Sequence, residues 1–315
     1  MVALDYEISE PVIDGKHVYA TTDLSHRLFT ALKPDTLRQR GVTNCPIPAL
    51  IAAMAHAQPE MLRAMVTVRQ LATPVRAWWY QTPINPPNTA FPVDKVVRVR
   101  FQHRSVEVTP RLYLGDDYSA RYCHTTASEG YAPYIEKAYV AYRCRFDYQN
   151  LNFWAGYSAT PLSVERIMED FVADYDCIRF KHRVHPQTGR VVAADFTVFR
   201  DPELASFDAP PGEEDQEQFD GWSTGKRVGG RKAQLNKLHG FFKQSHRRAT
   251  VVTTANHTLA VIGYAPLVKK VTLFDAMSHH VPHEETIGLG EFLRRHDGVY
   301  QARIGRSKRS WRPPD

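Results

Sequence analysis

Cysteine, histidine and an acid are the residue types that can build a proton-sharing nucleophile, and this chain sets one of each where local structure would hold it still. Its four cysteines are Cys45, Cys123, Cys144 and Cys177. Cys45 opens a helix: Pro46 and Pro48 fit a first turn, where backbone N–H groups have no partner, and the small apolar run ALIAAMAHA follows. A thiol at a helix N-terminus is drawn towards the reactive thiolate by the helix dipole and the free N–H groups. Fourteen histidines compete as its base. His257 stands out, because TTANHTLAVIGY sets it at the start of an apolar strand. Asp275 follows eighteen residues later, at the end of VTLFD. A hairpin would lay these strands side by side, so that Asp275 accepts from His257 Nδ1–H and Nε2 faces the thiol. Taken singly, each residue has a plainer reading: a small core cysteine, a satisfied surface histidine, a turn aspartate.

Other constellations are weaker. His279, His280 and His283 in HHVPHEE could hold zinc with a distant cysteine, but their spacing matches no structural zinc pattern. Cys123 and His124 are neighbours, so on a strand their side chains diverge. RVGGRKAQ has glycines without the spacing of a P-loop or a dinucleotide fingerprint. No carboxylate pair carries a glycosidase motif. No metal or cofactor is expected.

The elements that must position the chemistry read as follows. Gln58-Pro59 ends the Cys45 helix, and PEMLRAMVTVR starts another. Residues 73–93 hold five prolines and read as a loop or crossover. VVRVRF and VEVTPRLYL alternate as strands do, around a break at residues 102–105. YAPYIEKAYVAY has Tyr134, Ile135, Ala138, Tyr139 and Tyr142 at helical spacing. SVERIMEDFVADY (163–175) is a helix with Ser163 as N-cap and Arg166 and Asp170 four apart. QLNKLHGFFKQS is a further helix. ATVVTTANHTLAVIGYA and VTLFDAM are β-branched paired strands, and IGLGEFLRRHDGVYQARI adds a short helix and a strand. Helices lead the first half and strands the second, an α+β pattern. The expected division is a mostly helical lobe over 1–200 carrying the nucleophile, an acidic loop or linker over 201–221, and a β-rich lobe over 222–315 carrying the His/Asp pair.

These segments resemble the catalytic core of calpains, the papain-fold cysteine proteases. NCPIPALIAAMAHAQPEMLRAMV follows the family's nucleophile helix with its Asn/Gln-Pro break. YAPYIEKAYVAY looks like the W-x-x-L-x-E-K-A-Y segment, with Glu136, Lys137, Ala138 and Tyr139 in place. NHTLAVIGY resembles the G-H-A-Y-S-V strand, VTLFDAM sits where the family has R-N-P-W-G, and GEFLRRHDGVYQ resembles the closing F-x-x-x-F segment. The match covers roughly residues 35–155 and 230–305. It implies a papain-like fold with the cleft between a helical and a β-rich lobe. It also gives a role to Gln39, six residues before Cys45: a glutamine so placed donates to the oxyanion hole beside the cysteine's own N–H. Three positions depart from the family. Pro46 replaces the aromatic after the nucleophile, Asp275 the asparagine of the triad, and Ala276 and Met277 stand where a tryptophan shields that pair. No Asp/Asn-rich calcium loop is present.

Composition agrees with a folded chain. Its 315 residues are 43% hydrophobic and 23% charged, enough for a core and against wholesale disorder. No run approaches the roughly 20 apolar residues that span a bilayer, and MVALDYEISEPVIDG lacks the apolar core of a Sec signal. Four scattered cysteines read as reduced thiols. The expectation is a cytoplasmic protein with no membrane partner, export by a route without such a signal staying open. The net charge of +6 concentrates in residues 226–248 and in the tail RIGRSKRSWRPPD. Aromatics do not alternate with these charges, which favours a solvated face over nucleic acid. The reading is thus a calcium-independent cysteine endopeptidase acting on a protein or peptide substrate through Cys45, His257, Asp275 and Gln39. Its rivals are the same triad in a deamidase or acyltransferase effector, and an inactive homologue serving as a basic binding module.

Overall fold

A computed structural model describes residues 8–9, 20–39, 44–78, 90–114, 123–144, 163–172, 174–184, 187, 191–200, 226–228, 230–254, 257–277 and 282–303. In chain order these form β1 (Ile8–Ser9), β2 (Ala20–Asp23), β3 (Leu37–Gln39), α1 (Pro46–Ala57), α2 (Pro59–Met65), β4 (Val66–Trp78), β5 (Ala90–Arg100), β6 (Ser105–Val108), β7 (Arg111–Leu114), β8 (Cys123–Thr125), α3 (Tyr131–Arg143) and α4 (Val164–Phe171). There follow β9 (Tyr175–Val184), β10 (Val191–Arg200), β11 (Lys226–Arg227), α5 (Arg231–Phe242), β12 (Thr250–Thr254), β13 (His257–Ala265), β14 (Lys270–Phe274), β15 (Glu284–Gly288), α6 (Leu289–Arg295) and β16 (Gly298–Ala302). The architecture is mixed helix and strand, an α+β chain. None of these helices is long and apolar enough to cross a membrane.

An eight-stranded sheet in the order β11-β10-β9-β16-β12-β13-β14-β15 forms one half, antiparallel at every pairing. Its strands alternate between two buried faces, as the pleat demands. Cys177, Val251, Ala260 and Tyr300 join the core that includes α1. Their neighbours Ile178, Val252, Val261 and Val299 pack instead with Leu238 and Phe242 of α5 and Phe292 of α6. The other half is a β1-β4-β5-β6 sheet backed by α2 and α3. Two short pairs, β2-β7 and β3-β8, complete it. Between the halves runs α1, buried from Pro46 to Ala55. That is why its sequence is apolar on all sides rather than along one stripe.

The strands β9 and β10 were not read from the sequence. β10 pairs with β9, and β9 with β16, so the large sheet crosses the expected division at 201–221, a segment outside the described residues. Strands also extend into the proline-rich 73–93 segment, which was expected to be loop. Pro74 sits where the β4–β5 register shifts between Gln70 and Val75, a place where a missing N–H breaks no ladder bond. Residues 79–89 lie outside the described set. Helix α4 ends at Phe171 rather than near 175. Ser163 caps it, accepting from Arg166 N–H at 3.1 Å. Asp170 is not the partner of Arg166. It is buried, accepting from Tyr139 Oη at 2.9 Å and Arg143 Nε at 2.8 Å, so its spacing from Arg166 is incidental.

Helix α3 carries two consecutive charges into the core, Glu136 and Lys137, each 1% exposed. Lys137 Nζ donates to Thr109 O at 3.1 Å, Thr109 Oγ1 at 2.9 Å and Arg111 O at 2.6 Å. Three N–H bonds meet three acceptors, and the β6–β7 corner is pinned to the helix. Replacing Lys137 by methionine keeps the stem and strands those acceptors. The expected loss is about 2–3 kcal/mol, read as a lower urea midpoint with unchanged slope. Ahead of α3, Glu129 Oε1 accepts from the backbone N–H of Thr30 and Ala31, both at 2.5 Å, and of Leu32 at 3.1 Å. This fastens the chain that leads into β3 and hence to Gln39.

Candidate active site

Cys45 is the N-cap of α1 and is 3% exposed. Helix α1 rests on β12 and β13. Its N-terminal end meets His257, the first residue of β13, and the Cys45 sulfur and the His257 ring hydrogen-bond one another. Asp275 follows the last residue of β14. Ala260 lies opposite Phe274 in the β13–β14 pair. His257 and Asp275 are therefore offset by two positions, on the diagonal of one sheet face, within reach of a long side chain. His257 Nε2 lies 2.8 Å from Asp275 Oδ1. An ionised carboxylate can only accept, so Nε2 carries the proton.

The ring is thus the reverse of the sequence expectation. Nε2 serves Asp275, and Nδ1 is left for the thiol. The physical reason is reach. The acid lies on the diagonal of the next strand, so the distal nitrogen spans to it. Burial pulls the His257 pKa down. Hydrogen bonds to Asp275 and Cys45, and the negative charge of both, overcome that and push it up to about 9. Both side chains are shielded, 17% exposed for His257 and 14% for Asp275, so their attraction is little screened. Imidazolium is therefore the favoured form at neutral pH.

Asp275 is itself held. Asp275 Oδ1 also accepts from Met277 N–H at 2.9 Å. Asp275 N–H donates to His283 O at 2.7 Å, and His283 Nδ1 lies 3.0 Å from Asp275 O. His283, one of the three zinc candidates, thus ties down the backbone of the acid. His279 and His280 lie outside the described residues. Among the described residues no group of three or more His, Cys, Asp or Glu could hold a metal ion.

Gln39 ends β3, is 3% exposed and donates its backbone N–H to Ala276 O at 2.7 Å. It forms a bridge with Met277, and β3 also packs on α1. All four residues read from the sequence therefore collect at one end of α1. Cys123 and His124 do not make a competing site. Burial, followed by the charge of Glu136, pushes the Cys123 thiol well above its ordinary value, which disfavours a thiolate.

Sequence spacing missed what stands behind this site. The Glu136 carboxylate accepts from Asn44 Nδ2 and from Cys123 N–H at 2.9 Å. Burial raises its pKa to about 7, although those two donors pull it down. The available signal was an acid inside a helix whose flanking residues, Tyr134, Ile135, Ala138 and Tyr139, are all apolar or aromatic. No protein-family model matches this chain, and no curated protein matches it in sequence. The functional reading therefore rests on the geometry and chemistry of these residues.

Proposed function

We propose that this chain is a papain-like cysteine endopeptidase, calpain-like in its segments and independent of calcium. The observation that carries the reading is the hydrogen-bonded line Cys45–His257–Asp275, with the imidazole pushed up to about 9. A histidine so placed can take up and return the proton that the nucleophile and the leaving amine exchange. In the reaction, the Cys45 thiolate adds to a peptide carbonyl carbon. The oxyanion accepts from Cys45 N–H and the Gln39 side-chain amide. His257 gives its proton to the departing amine as the C–N bond breaks, leaving a thioester on Cys45. Water, losing a proton to His257, then attacks the thioester, and the acid product and the thiolate separate. Asp275 holds the ring in place and keeps the proton on Nε2 throughout.

The test is the pH profile of Cys45 alkylation by iodoacetamide, read by peptide mass spectrometry. An ion-paired thiolate reacts rapidly already near about pH 6, whereas an ordinary thiol gains reactivity only towards about 8.5. An ordinary titration at Cys45 sinks the reading. Incubation with a target protein adds the reaction type: chain cleavage is expected, and conversion of glutamine to glutamate without cleavage would replace the endopeptidase by a deamidase.

A further inference from the structure

We infer that Glu136 is a positioning residue, one buried carboxylate that sets the nucleophile and the oxyanion donor against each other. The inference rests on the roles of Cys45 and Gln39 proposed above. Oε1 takes the Asn44 amide. Asn44 is joined directly to Cys45, and its carbonyl accepts from Ile47 N–H at 3.0 Å, closing the turn in which Cys45 lies. Oε2 takes Cys123 N–H at 2.9 Å. Cys123 stands directly opposite Gln39 in the β3–β8 pair. One oxygen therefore fixes the flank of the thiol, and the other fixes the strand opposite the amide. The helix carrying this clamp cannot drift: Lys137 pins it to residues 109 and 111, and Tyr139 to Asp170.

A packing role alone does not account for the choice of residue. Glu136 is 1% exposed, and an apolar side chain of similar volume would fill the space without the desolvation of a charge. What a carboxylate adds is two acceptors at fixed separation, aimed at two donors on different segments. Two groups that converge on one oxyanion need placement within about half an ångström.

The experiment uses the full chain with Glu136→Gln, Asn44→Ala and both together. Glutamine keeps the shape of Glu136, but with Cys123 N–H on its carbonyl oxygen it can meet Asn44 only through an uncharged amide pair, so the charge-assisted link to Asn44 is lost. Hydrolysis of fluorescein-labelled casein is expected to fall about 100-fold in Glu136→Gln, mostly in kcat. Cys45 alkylation by iodoacetamide, which uses no oxyanion donor, is expected to fall less, about tenfold. Asn44→Ala cuts the same link from the other side, so the double variant is expected to be no worse than the poorer single. Both rates within about twofold of native in the folded Glu136→Gln protein overturn the inference, as do losses that multiply in the double variant or merely track the folded fraction in a melt. If Glu136→Gln does not fold, a folded, fully active Asn44→Ala overturns it equally. A native Cys45 that alkylates as an ordinary thiol removes the protease reading and this inference with it, whereas an activated Cys45 with silent variants removes the inference alone.

Discussion

Hydrolysis of fluorescein-labelled casein is expected to fall by at least about 10,000-fold, to background, when Cys45 is replaced by alanine. The size follows from the mechanism. Without sulfur there is no atom to form the thioester, and His257 and Gln39 are left to assist an unactivated water. Residual rates in such sites come from oxyanion donors and binding alone. The variant is expected to fold, because it removes one buried atom at the end of a helix whose packing is made by the residues that follow. A melting curve close to native, together with absent turnover, is the predicted pair of results. Turnover that survives the substitution dismisses Cys45 as the nucleophile.

The second large effect concerns Asp275. Asp275→Ala removes the acceptor for His257 Nε2–H, 2.8 Å away, and one source of the charge that raises the ring. A loss of about 1,000-fold in kcat/KM is expected, below the effect of losing the nucleophile. The direction of the pH shift is fixed. The His257 pKa is raised to about 9, so the imidazolium persists at neutral pH and is lost as pH climbs through about 9. Without the carboxylate, the alkaline limb of kcat/KM moves down towards the ordinary histidine value of about 6.5. Asp275→Asn keeps an oxygen that can accept and drops the charge. It should retain activity within about tenfold of native while its alkaline limb moves down by about one unit. The same linkage acts on stability. The raised pKa contributes up to about 3 kcal/mol, fully present below about pH 6.5 and lost as pH passes the folded value. An alkaline limb that stays in place in Asp275→Ala means another group holds the ring.

Parts of this site were legible because they obey short-range rules. A cysteine before Pro46-Ile47-Pro48 can hardly avoid a helix N-terminus, and β-branched runs around His257 and Asp275 make antiparallel neighbours whose offset follows from the turn between them. What escaped depends on distance. Which ring nitrogen meets sulfur is decided by how α1 packs on β13, and no local pattern carries that. The clamp at Glu136 joins residues 44, 123 and 136, and only the fold makes them adjacent. Strands β9 and β10 were unread because YDCIRFKHRV and VVAADFTVFR place charged residues between apolar ones along strands of a sheet covered on both faces for part of its length. Pro74 was over-read: a proline at a register shift does not end a strand. His283, read from the sequence as a residue of a solvated loop, instead bonds to the backbone carbonyl of Asp275.

The position of β16 bears on how the molecule comes into being. It is the last of the described strands in sequence, yet it lies between β9 and β12 in the middle of the large sheet, with Tyr300 opposite Cys177 and Val251. A growing chain emerging from the ribosome can form the β12–β15 hairpins early, but it cannot join them to β9 and β10 until residue 302 is free to insert. Contacts of such long sequence separation form slowly. The two flanks of the large sheet are therefore expected to be joined last, after the β12–β15 hairpins have formed.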